Sequence, residues 1–124
     1  MAQPRPKYLD LIQIRLPLPG LISILHRVSG ALLFVSLPFL LCLWQQSLAN
    51  PQSFDAFSAV VSRPLVKLAL LILLWGYLHH LCAGIRHLAL DLDLGTELAA
   101  ARASSVAVLV ISIGLTLAIG AILW

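Results

Sequence analysis

Charged residues are scarce in this chain. They make up 10% of its 124 residues, whereas hydrophobic residues make up 60%. Soluble domains carry about a quarter charged residues, so this composition excludes an ordinary soluble enzyme and indicates a membrane protein. The net charge is +3, and the basic residues that produce it are scattered at the ends of the apolar segments. This distribution favours a role in membrane topology over binding to nucleic acid.

Cysteines and catalytic motifs are also scarce. Cys42 and Cys82 lie in separate apolar segments, which fits small hydrophobic residues better than a disulfide or a Cys-x-x-Cys metal site. There is no serine nucleophile paired with a base, no glycine-rich phosphate loop and no pair of catalytic carboxylates. We therefore expect no catalytic residues and no independent catalysis by this polypeptide.

Three apolar runs account for most of the length. A membrane-spanning helix needs about 20 largely apolar residues, and we predict such helices at about 21–48, 63–90 and 98–124. The chain is then an all-α membrane protein with 1–124 as a single membrane-anchor domain. Between the first two helices we expect a short polar loop with at most a surface turn of helix, and Ser62 as the N-cap of the second helix.

Basic residues are distributed unevenly around the three predicted helices. Arg63 and Lys67 fall on the far side of the membrane. The N-terminal side carries Arg5, Lys7, Arg15, Arg27, Arg86 and Arg102. Because positive residues are enriched on the cytoplasmic side, this asymmetry predicts a cytoplasmic N-terminus and a C-terminus on the opposite side.

Polar residues recur along one face of the second helix. His80, Gly84, His87 and Asp91 follow the helical repeat, and His80 lies about 16 Å deeper than Asp91. A flat cofactor with a central metal would use His80 as an axial ligand and Gly84 as clearance. In the alternative interpretation, His80 bonds to a neighbouring helix and Gly84 serves only helix packing. His79 points about 100° away and is the weaker candidate.

A second group of polar residues opens the first helix. Ser23, Arg27 and Gly30 share a face, and His26 lies beside it. Arg27 is either a topology anchor, or it joins Ser23 and His26 in binding a cofactor carboxylate or a quinone carbonyl. Because the first two helices are antiparallel, both groups can face one pocket. A six-coordinate haem there would need its second ligand from another chain.

Two motifs resemble those of a known family. The segment 23–30 reads SILHRVSG, and 80–91 has the pattern H-x-x-x-G-I-R-H-x-x-x-D. Together they resemble the cytochrome b subunits that anchor succinate dehydrogenase, or respiratory complex II, in the membrane. The leader at 5–11 and 14–15 is similar to bacterial members, and the likeness spans the whole chain.

The resemblance implies one half of a heterodimeric anchor bundle, a multi-pass protein of the bacterial inner membrane. Its partners would be a second small anchor subunit, an iron-sulfur subunit and a flavoprotein subunit, besides the lipid bilayer. Such an anchor helps to pass electrons from succinate through the iron-sulfur subunit to ubiquinone. His80 then corresponds to an axial ligand of haem b, and the second anchor subunit supplies the other ligand.

Other site residues are implied by the same resemblance. Ser23 and Arg27 match quinone-site positions, while His26 and Arg27 match residues near the haem propionates. His87 and Asp91 match family positions near the cytoplasmic surface, with a propionate or structural role.

Two alternatives remain open at this point. One is the corresponding anchor of a fumarate reductase, although His80 argues against a haem-free version. The other is a small oligomeric, proton-linked transporter with the His80 face as a proton relay. The transporter would be expected to carry paired carboxylates, and it leaves Ser23 and Arg27 without a purpose.

Overall fold

The structure is a computed structural model in which residues 16–124 are described. It contains α1 (Leu18–Ala49), α2 (Pro51–Val61), α3 (Pro64–Asp91) and α4 (Leu98–Leu123). The long helices α1, α3 and α4 are apolar enough to cross a membrane, and the described residues contain no strand. An all-α membrane fold is thus confirmed. The leader at 1–15, including the expected topology residues Arg5, Lys7 and Arg15, lies outside the described range.

Prolines and a tight turn set the ends of the helices. Pro19, Pro51 and Pro64 stand in the first turns of α1, α2 and α3. Proline suits this position because its missing N–H would be unpaired there and its φ angle is already helical. Between α3 and α4 the chain reverses through Asp93 and Gly95, with φ angles of 57° and 76°. Glycine adopts this left-handed backbone without steric cost.

The segment after α1 differs from the prediction of a short polar loop, because α2 has 11 residues. A capping box starts it. The Asn50 side chain accepts from the Ser53 N–H at 2.8 Å, and Ser53 Oγ accepts from the Asn50 N–H at 3.1 Å. The prediction that Ser62 caps the next helix is wrong. Ser62 ends α2 and donates to the Ser58 carbonyl at 2.7 Å, whereas the N-cap of α3 is Arg63.

The long helices pack side by side, with α3 against both α1 and α4. Leu32 of α1 lies over Gly76 of α3. Leu71 of α3 lies so close to Gly120 that an added Cβ there would be 2.8 Å from Leu71 Cδ2. Small side chains let membrane helices approach closely. The buried face of α4 consists of Ser105, Val108, Ser112, Thr116 and Gly120.

Neighbouring long helices are antiparallel, so the start of α1, the end of α3 and the start of α4 lie together. We call this region the polar end. His26 meets His80 there, and Arg86 meets Ser104. The remaining surface is largely apolar, with Phe34 78% and Ile122 82% exposed. Such a surface is covered by lipid or by other subunits rather than by water.

Candidate functional site

Three histidines lie together at the polar end, where His26 contacts each of the other two. The ring of His26, on α1, stacks on the ring of His80, on α3, with centroids 4.1 Å apart and planes 8° from parallel. His26 also meets His87 at 5.0 Å in a tilted arrangement. The two groups of polar residues from α1 and α3 therefore share one site. Residues 16–124 contain no group of three His, Cys, Asp or Glu side chains arranged to hold a metal ion.

His80 is held through one ring nitrogen. Its Nδ1 lies 3.0 Å from the backbone carbonyl oxygen of His26 and 3.2 Å from Ser29 Oγ. A carbonyl oxygen can only accept, so Nδ1 carries the proton in this contact. In the neutral ring, Nε2 then has a free lone pair, and it makes no hydrogen bond to any group between residues 16 and 124. This is the protonation state in which an imidazole binds a metal.

His79 lies in a different environment from its neighbour. Its ring is 0% exposed, and neither ring nitrogen has a hydrogen-bond partner in the described part of the chain. The indole of Trp75, one turn earlier, lies 5.2 Å away, and its Nε1 is likewise buried without a partner among residues 16–124. His79 therefore faces the interior of this chain's own bundle, away from the surface where another subunit or a large cofactor would have access.

Two glycines border the histidine cluster. A Cβ added to Gly84 would lie 3.5 Å from His26 Nε2, so within this chain the space beside Gly84 is occupied by the His26 ring. Its predicted use as clearance for a cofactor stays a prediction. Gly30 makes the closer approach, since an added Cβ would lie 2.8 Å from His80 Cε1. The sequence places Gly30 on one face with Ser23 and Arg27, but does not indicate that Gly30 makes room for His80.

The remaining predicted residues, Ser23, Arg27 and Asp91, lie at the same end of the bundle as the cluster. Ser23 is half-buried in the first turns of α1, while Arg27, one turn later, is exposed. Asp91 is the last residue of α3 and is also exposed. A hydroxyl, a cation and a carboxylate thus lie at the same end of the bundle as the three imidazoles, where they are accessible to polar groups at the membrane edge.

Arg86 has a structural role that the sequence did not reveal. The sequence indicates a topology signal at Arg86, yet its side chain is only 8% exposed. Its Nε donates to Ser104 Oγ at 3.0 Å, and its Nη2 donates to the Ala101 carbonyl at 3.3 Å. These bonds connect α3 to the first turns of α4. The useful signal was its register with His79 and Ala83, which are both buried on the same face.

Comparison with known proteins identifies the family. Residues 1–119 match the model of the succinate dehydrogenase/fumarate reductase transmembrane subunit. The succinate dehydrogenase cytochrome b556 subunit of Coxiella burnetii is 35% identical, with both chains covered completely. Subunits of the same name are 30% identical in Rickettsia felis, over 91% of this chain and 88% of the relative, and 31% identical in Paracoccus denitrificans, over 85% and 81%. The chain therefore belongs to the transmembrane subunit family of succinate dehydrogenase and fumarate reductase, within which it is a cytochrome b subunit of the succinate dehydrogenase type.

Proposed function

We propose that this chain, with 1–124 as one membrane-anchor domain, binds haem b and helps to pass electrons from the iron-sulfur subunit to ubiquinone. The observation that carries the proposal is the state of His80. Its Nδ1 is bonded to the His26 carbonyl, which leaves the lone pair of Nε2 available as an axial ligand. When bound, haem b accepts and releases one electron at a potential set by its axial ligands and burial.

The residues around His80 fit such a group. Its ring is fixed between α1 and α3, and Gly30 leaves the space that the ring occupies. The exposed Arg27 and the nearby His26 would pair with haem propionates, because a guanidinium binds a carboxylate through charge-assisted hydrogen bonds. Gly84 would give clearance. His87 and Asp91 would line the polar exit, as expected from the likeness of segment 80–91 to the family.

The second axial ligand is proposed to come from another anchor subunit. The other histidines of α1 and α3 are unsuited to it. His79 is buried inside the bundle, and His26 stacks on the same ring that would bind the iron. His87 is tilted against His26, closer to the end of α3. A haem between this chain and a second small anchor would join the two halves of the membrane domain, with the iron-sulfur and flavoprotein subunits docked at the polar end.

Ubiquinone is proposed to bind at the polar end near Ser23 and Arg27. Quinone reduction consumes two electrons and two protons, so the site needs access to water and to an iron-sulfur donor. Ser23 is half-buried, which suits a hydroxyl that bonds a quinone carbonyl while remaining within reach of water. This arrangement requires the polar end to face the cytoplasm of a bacterial inner membrane, the orientation that the basic residues favour.

The test of haem ligation is an optical reduced-minus-oxidised spectrum of membranes that express this chain with its partner subunits. We expect His80→Ala to abolish the b-type signal, because no other imidazole of the described chain is placed to replace it. His79→Leu is the matched control at the adjacent position, and it should keep the signal. An unchanged signal in His80→Ala would refute the ligand assignment.

A further inference from the structure

Three neighbouring groups of α1 hold the His80 ring. The His26 carbonyl and Ser29 Oγ lie 3.0 and 3.2 Å from Nδ1. Gly30, next in the chain, leaves a gap in which an added Cβ would lie 2.8 Å from Cε1. A Cβ that close would force the ring to move. One turn of α1 thus provides both polar partners of Nδ1 and the space for the ring.

The Ser29 hydroxyl has a defined role in this arrangement. It donates its own proton to the His26 carbonyl at 2.9 Å, so its oxygen lone pairs are left to accept from His80 Nδ1–H. The Nδ1–H is then shared between two oxygens. Ser29 is only 4% exposed, so water does not compete for these bonds. Hydrogen bonds in such low-dielectric surroundings are electrostatically stronger than in water.

We propose that Ser29 is a positioning residue for the haem ligand, acting through His80. This inference rests on the proposed ligation of haem by His80. When one ring nitrogen of a histidine binds a metal, a group that accepts a hydrogen bond from the N–H of the other ring nitrogen fixes the tautomer and the ring orientation. It also makes the ligand more basic. A more basic axial ligand stabilises ferric over ferrous iron. Ser29 therefore lowers the haem reduction potential, while Gly30 permits the ring position in which this bond forms.

The first test is the haem midpoint potential of the purified complex carrying Ser29→Ala. Loss of one of the two acceptors should shift the equilibrium between ferric and ferrous haem toward the ferrous form by up to tenfold. This raises the midpoint potential by up to about 59 mV for a one-electron couple. Ser29→Thr keeps the hydroxyl and should restore the natural value. Ser36→Ala is the matched control, because Ser36 Oγ also donates to the carbonyl three residues earlier, Leu33, at 2.9 Å on the same helix. It should leave the potential unchanged.

A second pair of variants tests the space for the ring. Gly30→Ala should lower the amount of haem per flavin, because the new Cβ displaces His80. Gly114→Ala is the matched control, since an added Cβ at that position has no atom of the chain within 4 Å. It should retain full haem content.

If Ser29→Ala does not assemble, Ser29→Cys has nearly the same size and a weaker acceptor, and it should shift the potential in the same direction.

The outcomes separate this inference from the proposed function. If His80→Ala removes the haem while the Ser29 variants keep the natural potential and Gly30→Ala keeps full haem, the positioning role is refuted and ligation stands. Equal shifts in Ser29→Ala and Ser36→Ala would also refute it. If His80→Ala retains the haem, ligation itself fails, and the positioning role fails with it.

Discussion

His79 and His80 are adjacent in the chain but lie on different sides of α3. The helical repeat selected His80 from the sequence, because only His80 is in register with Gly84 and His87. The sequence did not indicate that His79 would be completely buried, with no hydrogen bond from its ring to the part of the chain that the structure describes. It also gave no role to Ser29. Both facts depend on how α1 is rotated against α3, which is determined by packing between distant segments.

The Ser23 hydroxyl, which is proposed to bond a quinone carbonyl, gives a testable prediction. Ser23→Ala should reduce succinate-to-quinone activity by about tenfold, equivalent to roughly 1.4 kcal/mol, the upper range for one hydrogen bond. Succinate oxidation with an artificial acceptor at the flavin end should be unaffected, because Ser23 lies in the membrane anchor. Ser36→Ala, a substitution of the same type deeper in α1, should leave both activities intact. Parallel losses in the two assays of Ser23→Ala would argue against a quinone role.

The long helices were predictable because the bilayer sets their length. Predicted starts near residues 21, 63 and 98 compare with Leu18, Pro64 and Leu98 in the structure. The element that was missed, α2, has a local signal in Asn50-Pro51 followed by Ser53, a polar N-cap with proline in the first turn. Hydropathy does not detect an 11-residue helix of this kind, since it is too short to span a membrane.

The hydrogen bonds that Arg86 makes between α3 and α4 give a prediction about how these two helices are held together. Arg86→Ala removes two hydrogen bonds from a buried cation to α4, and such bonds contribute about 1.5–3 kcal/mol each. We expect a lower midpoint of thermal unfolding and loss of haem at lower temperature in the purified complex. Arg102→Ala removes the same charge from an exposed position on α4 and should cause little change. Equal destabilisation by both variants would show that charge, rather than the link to Ser104 and Ala101, is responsible.

For the whole molecule, composition and hydropathy sufficed to predict a multi-pass membrane protein. Membership of the succinate dehydrogenase/fumarate reductase family removes the reason for the transporter alternative. The reported relatives are named succinate dehydrogenase subunits, as the leading interpretation expected. No single chain can reveal the other half of a shared site. His80 would supply one axial nitrogen, Nε2, so the proposed haem needs a second ligand on another subunit.

Near-infrared magnetic circular dichroism of the oxidised complex tests this requirement most directly, because its charge-transfer band depends on the pair of axial ligands to haem iron. The natural complex should show the band of two imidazoles. In His80→Met the band should move to the position of a histidine–methionine pair, since the partner's imidazole remains and this chain's ligand has changed. A two-imidazole band that persists in His80→Met at full haem content would contradict the account.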